Sequence, residues 1–383
     1  MKKLYLDYAA TTPLCEEAFE AMRVCFADNF GNANSQHSFG REAAKTVAEA
    51  RATVARVLNA EPNEIYFTSC GTESDNWALK GAALARGDAK GRIIVSATEH
   101  PAVYHSAEQL RNAGFDVCEL PVDGDGLVHA EELEKAITPD TFLVSVMYAN
   151  NETGAVQPVK RLAEIAHAHG ALFHTDAVQA AGALPLDVKA LGADMMSLSA
   201  HKFYGPKGVG ALYVRNGVNL VPLIAGGEQE RAKRGGTTDT PAIAGMAAAL
   251  KRAYDNLDAE NARVAFVRDA FVAYVESNVQ GAVLNGPKDP ELRLPNNADF
   301  RFGGIDGEAL LFALDLAGIC ASGGSACSSG SKEPSRTLLA MGLSPSEAKG
   351  SVRFTFGRHT DVADALYAAE QVANAVKRLR ALQ

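Results

Sequence analysis

The run Val159-Lys160-Arg161-Leu162-Ala163-Glu164-Ile165-Ala166-His167-Ala168-His169-Gly170-Ala171-Leu172-Phe173-His174-Thr175-Asp176 decides the fold. Its first part, 159–169, repeats apolar residues at helical spacing, and Gly170 ends the pattern as a helix cap does. Its second part, 171–176, is a short apolar run that reads as a buried strand ending in a carboxylate. The alternation continues on both sides. Between about residues 38 and 215, strand-like runs at 65–69, 92–97, 116–121, 142–149, 195–199 and 210–214 are separated by helical patterns such as 42–58, 73–85 and 103–113. Strands alternating with helices predict an α/β fold built on a mostly parallel sheet. Ligands in such sheets bind beyond the C-terminal ends of the strands.

Those strand ends collect polar residues: 69–73, Asn150 and Asn151, Asp176, and 199–202. Lys202 stands just past the strand 195–199, in Ser199-Ala200-His201-Lys202-Phe203-Tyr204-Gly205. A partly desolvated lysine gives up its proton readily and condenses with aldehydes. The aldehyde that fits is pyridoxal 5'-phosphate, and Asp176 is placed to keep its pyridine nitrogen protonated. The alternative for Asp176 is a helix cap. Gln179, three residues on, reaches toward the phenolic oxygen, and His100, in Thr98-Glu99-His100-Pro101, is the candidate for stacking on the ring. Ser69-Cys70-Gly71-Thr72-Glu73-Ser74 joins a strand to a helix. Gly71 permits the tight turn, and the free N–H groups of a helix start cradle phosphate. Thr72 and Asp75 also fit a plain capping pair. Neither G-x-G-x-x-G nor G-x-x-x-x-G-K-[ST] occurs in a strand-to-helix turn, which points away from dinucleotides and nucleoside triphosphates.

The 383 residues are 47% hydrophobic and 22% charged, with 37 basic and 46 acidic side chains and a net charge of −9. That composition is ordinary for a globular protein. No basic stretch offers a nucleic-acid surface. No apolar run is long enough for a membrane span, and the N-terminus lacks the apolar region of a signal peptide, so a cytoplasmic protein is expected. The length calls for two domains: 15–255, carrying the cofactor, and 1–14 with 256–383. A long helical pattern, 241–278, connects them, and the second mixes short strands with helices around 307–317 and from 361 onward. His167 and His169 point to different helix faces and no H-E-x-x-H is present, so no metal is expected.

None of the six cysteines forms a C-x-x-C pair, and free thiols are expected. Cys327 differs from the rest. It lies in Ala321-Ser322-Gly323-Gly324-Ser325-Ala326-Cys327-Ser328-Ser329-Gly330-Ser331, among small residues that cannot bury it. An accessible loop is where a reactive thiolate belongs.

In order along the chain, Leu6-Asp7-Tyr8-Ala9-Ala10-Thr11-Thr12-Pro13, Gly31-Asn32-Ala33-Asn34-Ser35, Thr72-Glu73, Thr98-Glu99-His100, Asn150-Asn151-Glu152-Thr153-Gly154, the Asp176, Lys202 and Cys327 segments, Glu333-Pro334-Ser335 and Val352-Arg353-Phe354 resemble the cysteine desulfurases. These are class V aminotransferases of fold-type I, and the form of the Cys327 loop is similar to the group with a long catalytic loop. The resemblance implies a large domain with a mostly parallel mixed sheet and a smaller α+β domain. It implies that Lys202 binds the cofactor and moves protons, that Asp176, His100 and Gln179 hold the ring, and that Thr72, Ser199 and His201 hold the phosphate. Asn34, Asn151 and Arg353 would bind the substrate carboxylate, and Cys327 would be the nucleophile. L-Cysteine would yield L-alanine and a Cys327 persulfide, passed to an acceptor such as an iron–sulfur scaffold protein. Gly226-Gly227-Glu228 through Gly236-Thr237 resembles a dimer-crossing loop, implying a homodimer in which Thr237 reaches the partner's phosphate. Cys70, where glycine is usual, and Asp239, where asparagine is common, depart from the pattern. A carboxylate at 239 is expected to sit near the phosphate. Two other readings use some of the same residues: an enzyme of this fold acting on selenocysteine or transferring an amino group, and a sulfur carrier using Cys327 without a cofactor.

Overall fold

The computed structural model describes residues 3–324 and 333–382. Cys327 therefore lies outside the described residues. Among the described residues twelve strands form three sheets. In chain order they are β1 (Leu4–Tyr5), β2 (Ile65–Thr68), β3 (Arg92–Ser96), β4 (Asp116–Leu120), β5 (Thr141–Ser145), β6 (Leu172–Asp176), β7 (Met195–Ser199), β8 (Gly210–Val214), β9 (Ala282–Leu284), β10 (Asn297–Phe302), β11 (Ile319–Cys320) and β12 (Ser351–Thr355).

The large sheet runs β2-β8-β7-β6-β5-β3-β4 and is parallel except for β8, which is antiparallel to both neighbours. Its strands are apolar throughout because both faces are covered. Ile93 and Val95 belong to one buried cluster with Trp77, while Ile94 belongs to another with Val54 and Leu58. The same alternation separates Leu143 from Val144 and Met195 from Met196. This is the two-residue period of a strand buried on each face by helices.

A third apolar cluster, around Phe271, Phe300 and Phe354, fills the space between the antiparallel sheet β12-β10-β9 and the helices Leu257–Asn278 and Val362–Arg380. Leu4 and Leu6 join it from the N-terminus, where β1 pairs in parallel with β11.

Two sequence expectations shift. The strand expected at 142–149 ends as a ladder at Ser145, although Val146 and Tyr148 still donate to the carbonyls of His174 and Asp176. Ala149 instead bridges to Val156, and the buried Asn150 donates its side-chain amide to the Thr98 carbonyl at 3.0 Å. The long helical pattern 241–278 is two helices, Thr240–Asp255 and Leu257–Asn278, broken at Asn256 with φ −137° and ψ 26°. Asp239 caps the first of them, accepting from the Ala242 N–H at 3.0 Å. Its carboxylate is thus held by its own helix start, where negative charge is favoured.

Candidate active site

Beyond the C-terminal edge of the large sheet is a cavity of about 160 Å³. Four strand ends build it. β2 leads into the helix Gly71–Ala85, β3 into the helix Pro101–Asn112, β6 ends at Asp176, and β7 turns into Ala200–Lys202. Gly71, Thr72, Cys70, His100 and Asn151 line it, as do Asp176, Gln179, Ser199, His201, Lys202 and Arg353. Ten of the sequence-predicted site residues are therefore brought to one place.

The helix start at Gly71 is pressed close to its neighbours. A Cβ there would come within 2.6 Å of Val178 Cγ2 and 3.4 Å of Ser199 Cβ. Only glycine lets the backbone lie so near, with the first amides of the helix unpaired within it. Thr72 and Asp75 do not form a cap. Cys70 is the N-cap and makes no side-chain cap bond. The nearby Ser69 N–H donates to Glu73 Oε2 at 2.7 Å, and Arg234 pairs with Glu73 at 2.9 Å. Asp75 is buried instead, 1% exposed, on the cavity wall.

Asp176 Oδ1 accepts the Val178 N–H at 2.8 Å. One polar side-chain atom each of Asp75, His100 and Asp176 lies within 4.8 Å of the others. Burial raises the Asp176 pKa, against the pull of His100, the Val178 amide and Lys202. His100 caps its own helix, its Nδ1 accepting the Ala102 N–H at 3.1 Å, which fixes the ring and leaves Nδ1 without a proton. Burial lowers the His100 pKa. His201, 3.2 Å from the Thr11 hydroxyl, is lowered to about 4 by burial and then by Lys202.

The N-terminal segment closes one side. Lys202 Nζ donates to the carbonyls of Ala9 and Ala10 at 2.6 and 2.9 Å, and Gln179 Nε2 donates to Ala9 at 3.0 Å. Arg353 enters from β12. It donates to the Asn151 carbonyl at 2.6 Å and to Asp7 at 2.9 Å, while its buried Nε has no partner among the described residues.

Two predicted residues lie elsewhere in this chain. Asn34 is exposed, its N–H donating to Asn32 Oδ1 at 2.9 Å, and is not on the cavity wall. Thr237 lines a separate cavity of about 220 Å³ with Thr68, Ser69 and Arg234. Asp75 and Glu99 carry no sequence signal of their burial, because helix starts and strand ends normally carry solvated carboxylates. Glu99 accepts from the Ser96 hydroxyl and the Met147 N–H, and burial pushes its pKa up to about 8.

The cavity fits pyridoxal phosphate on its own geometry. A glycine-tight helix start, an amine, a buried carboxylate and an arginine line one volume. The sequence profile of the aminotransferase class-V family matches residues 4–367. The cysteine desulfurase IscS of Clostridium botulinum is 47% identical over 379 residues, covering 99% of this chain and 96% of the relative. That of Dictyoglomus turgidum is 46% identical over 381 residues, covering 100% and 96%. Among solved structures, a NifS-like protein superposes with a TM-score of 0.93 at 38% identity, covering 99% and 100%. SspA in complex with cysteine superposes with a TM-score of 0.82 at 36% identity, covering 93% and 99%. A cavity built for an aldehyde cofactor and a family match running nearly end to end agree: the chain belongs to the aminotransferase class-V family.

Proposed function

We infer that the protein is a pyridoxal-phosphate-dependent cysteine desulfurase, a transferase that takes sulfur from L-cysteine and releases L-alanine. The observation that carries this is the convergence of Lys202, Asp176 and the Gly71 helix start on one cavity. Pyridoxal phosphate, when bound, supplies an aldehyde for amines and a ring that accepts the electron pair left at a deprotonated α-carbon. Asp176 would hold the ring nitrogen, His100 would lie against the ring face and Gln179 near its phenolic oxygen. Gly71, Thr72, Ser199 and His201 would hold the phosphate. Because burial keeps His201 neutral, it would serve as a hydrogen-bonding group and not as a charge.

Arg353 and Asn151, both on the cavity wall, would orient the substrate carboxylate. Lys202 Nζ, held over the cavity by two carbonyls, would take the α-proton and return it. The Cys327 thiolate would then attack the substrate sulfur. The carbon–sulfur bond breaks, a sulfur–sulfur bond forms on Cys327, and the β-carbon keeps the electron pair, takes a proton and leaves as part of alanine.

The persulfide would pass to an acceptor protein such as an iron–sulfur scaffold. We place the enzyme in the cytoplasm, and no helix among the described residues is long and apolar enough to cross a membrane. A homodimer is part of the proposal. Thr237 lines a separate cavity and not this chain's site, which is compatible with its serving a partner's phosphate, and Asn34 would complete the substrate site only after the 31–37 segment moves or a partner packs on it. Residues 15–255 and 1–14 with 256–383 are proposed as the two domains; the apolar cluster around Phe271 draws on the second group.

The test is a Cys327→Ser protein. It should bind pyridoxal phosphate and remain yellow, yet release no sulfide from cysteine. Full sulfide release would remove Cys327 from the reaction, and a colourless wild-type protein that borohydride leaves unchanged would overturn the cofactor assignment.

A further inference from the structure

Three carboxyl groups are buried around the cavity, where the mechanism uses only one. Asp75, Glu99 and Asp176 are 1%, 6% and 4% exposed. Bringing two or three negative charges together without water is costly, so such clusters keep protons. What each carboxyl is bonded to decides which of them is charged.

Asp176 has the surroundings of a carboxylate. The Val178 N–H donates to it, and Lys202 and His100 lie close enough to favour its charge. Among the described residues Asp75 accepts no backbone N–H, and the His100 ring it shares with Asp176 is kept neutral by burial. Asp75 sits in the second turn of the helix Gly71–Ala85, where the amides are already committed to the helix. The Ser197 hydroxyl is a hydrogen-bonding neighbour of Asp75, whose Oδ1 has no partner among the described residues. The groups that face it are Asp176 and His174 from β6, Glu99 and His100 from the turn after β3, and Cys70 from its own helix start. The nearest basic group, His174 Nε2, is 3.7 Å from Oδ1, too far for a hydrogen bond. That ring is held between the Ser145 and Ser197 hydroxyls at 2.8 and 3.0 Å and is fully buried. Burial takes the His174 pKa down to about 3, so it supplies no positive charge.

We propose that Asp75 is a positioning residue that works as a neutral carboxylic acid, leaving Asp176 as the charged carboxylate that faces the cofactor's ring nitrogen. The inference rests on the pyridoxal phosphate reading for its purpose, but not for its proton. Burial and then the neighbouring Asp176 hold the Asp75 carboxyl well above the usual range, in the same direction as the geometry. An ionised Asp75 would compete with Asp176 for the ring's positive charge and blur which carboxylate the ring binds.

The test compares the full-length wild-type chain, stripped of pyridoxal phosphate, with Asp75→Asn, which replaces a neutral acid by a neutral amide of equal size. In the unfolded chain Asp75 loses its proton near pH 4, while the folded chain keeps it. The wild-type unfolding constant therefore carries one extra factor of about ten per pH unit between pH 5 and 7 that the variant lacks. The ratio of variant to wild-type unfolding constants should fall by that factor with each unit of rising pH. Carbon-13 NMR of chains labelled at aspartate carboxyls should show a protonated carboxyl at pH 7 that disappears in Asp75→Asn and persists in Asp176→Asn. A pH-independent ratio, a wild-type spectrum with every aspartate ionised at pH 7, or loss of the signal in Asp176→Asn instead overturns the proposal. An Asp75→Asn chain that fails to fold overturns it as well, because a neutral acid tolerates its amide. A wild-type chain that takes up no pyridoxal phosphate sinks the cofactor reading, while the NMR and unfolding results still decide where the proton is.

Discussion

Ser335 donates its hydroxyl to Glu152 Oε2 at 2.5 Å, and the same oxygen lies against Gly324, where a Cβ would approach to 2.8 Å. One buried carboxyl group in the Asn150-Asn151-Glu152-Thr153-Gly154 turn thus holds the chain after 325–332 and crowds the chain before it. Gly324 holds φ +75°, which a side chain resists on its own account. Gly324→Ala should therefore lose about 1–3 kcal/mol of stability from strain and contact together, read as a lower urea midpoint at unchanged slope. Sulfide production should fall further than pyridoxal phosphate uptake, since the strained position flanks the Cys327 segment and not the ring site.

Arg353 is 1% exposed and is shared between Asp7 and the Asn151 carbonyl. A lysine lacks the forked donor geometry that lets one side chain hold both partners. Arg353→Lys should lower kcat/KM for cysteine by roughly 10- to 100-fold, the worth of one hydrogen bond to a charged group, with most of the loss in KM. An unchanged KM in steady-state alanine production would remove Arg353 from substrate binding.

His174 gives the chain an acid limit. Its imidazole is neutral in the fold, with a pKa near 3 set by burial, and protonated below about 6.5 when unfolded. The unfolded chain binds the extra proton, so stability is lost as pH falls from 6.5 toward 3, at about 1.4 kcal/mol per pH unit. Asp75 acts in the opposite sense, which is why the two must be separated by variants. His174→Gln should be less stable than wild type at pH 7, and the gap should narrow on acidification when unfolding is followed by Trp77 fluorescence.

Lys202→Ala should leave a protein that binds pyridoxal phosphate reversibly and loses it on dialysis. Turnover should drop by roughly 10³-fold, the range expected when a positioned proton-transfer group is removed. Retention of the cofactor after borohydride treatment and denaturation in this variant would move the attachment to another lysine.

The alternation of strands and helices could be read from the sequence because a strand covered on both faces must be apolar throughout, and a helix over it must repeat every three to four residues. Those patterns located β2 to β8 within a few residues, and with them the strand ends that carry Thr72, His100, Asp176 and Lys202. The break at Asn256 was less visible, since two helices in succession keep one period. The cap that Asp239 makes was not legible either, because a carboxylate's direction depends on which amides are nearby, and one of them belongs to its own helix.

By itself the sequence determined the sheet, its order of elements and the chemistry gathered at its edge, through short-range patterns of polarity. Tertiary structure alone decided which carboxyl groups face one another. Asp75 and Asp176 are about a hundred residues apart, and nothing local distinguishes a solvated acid from a buried one. Their meeting depends on β6 lying three places from β2 in the sheet, so that the helix leaving β2 crosses the end of β6. Water is excluded there by the whole fold, and that exclusion settles where the protons are.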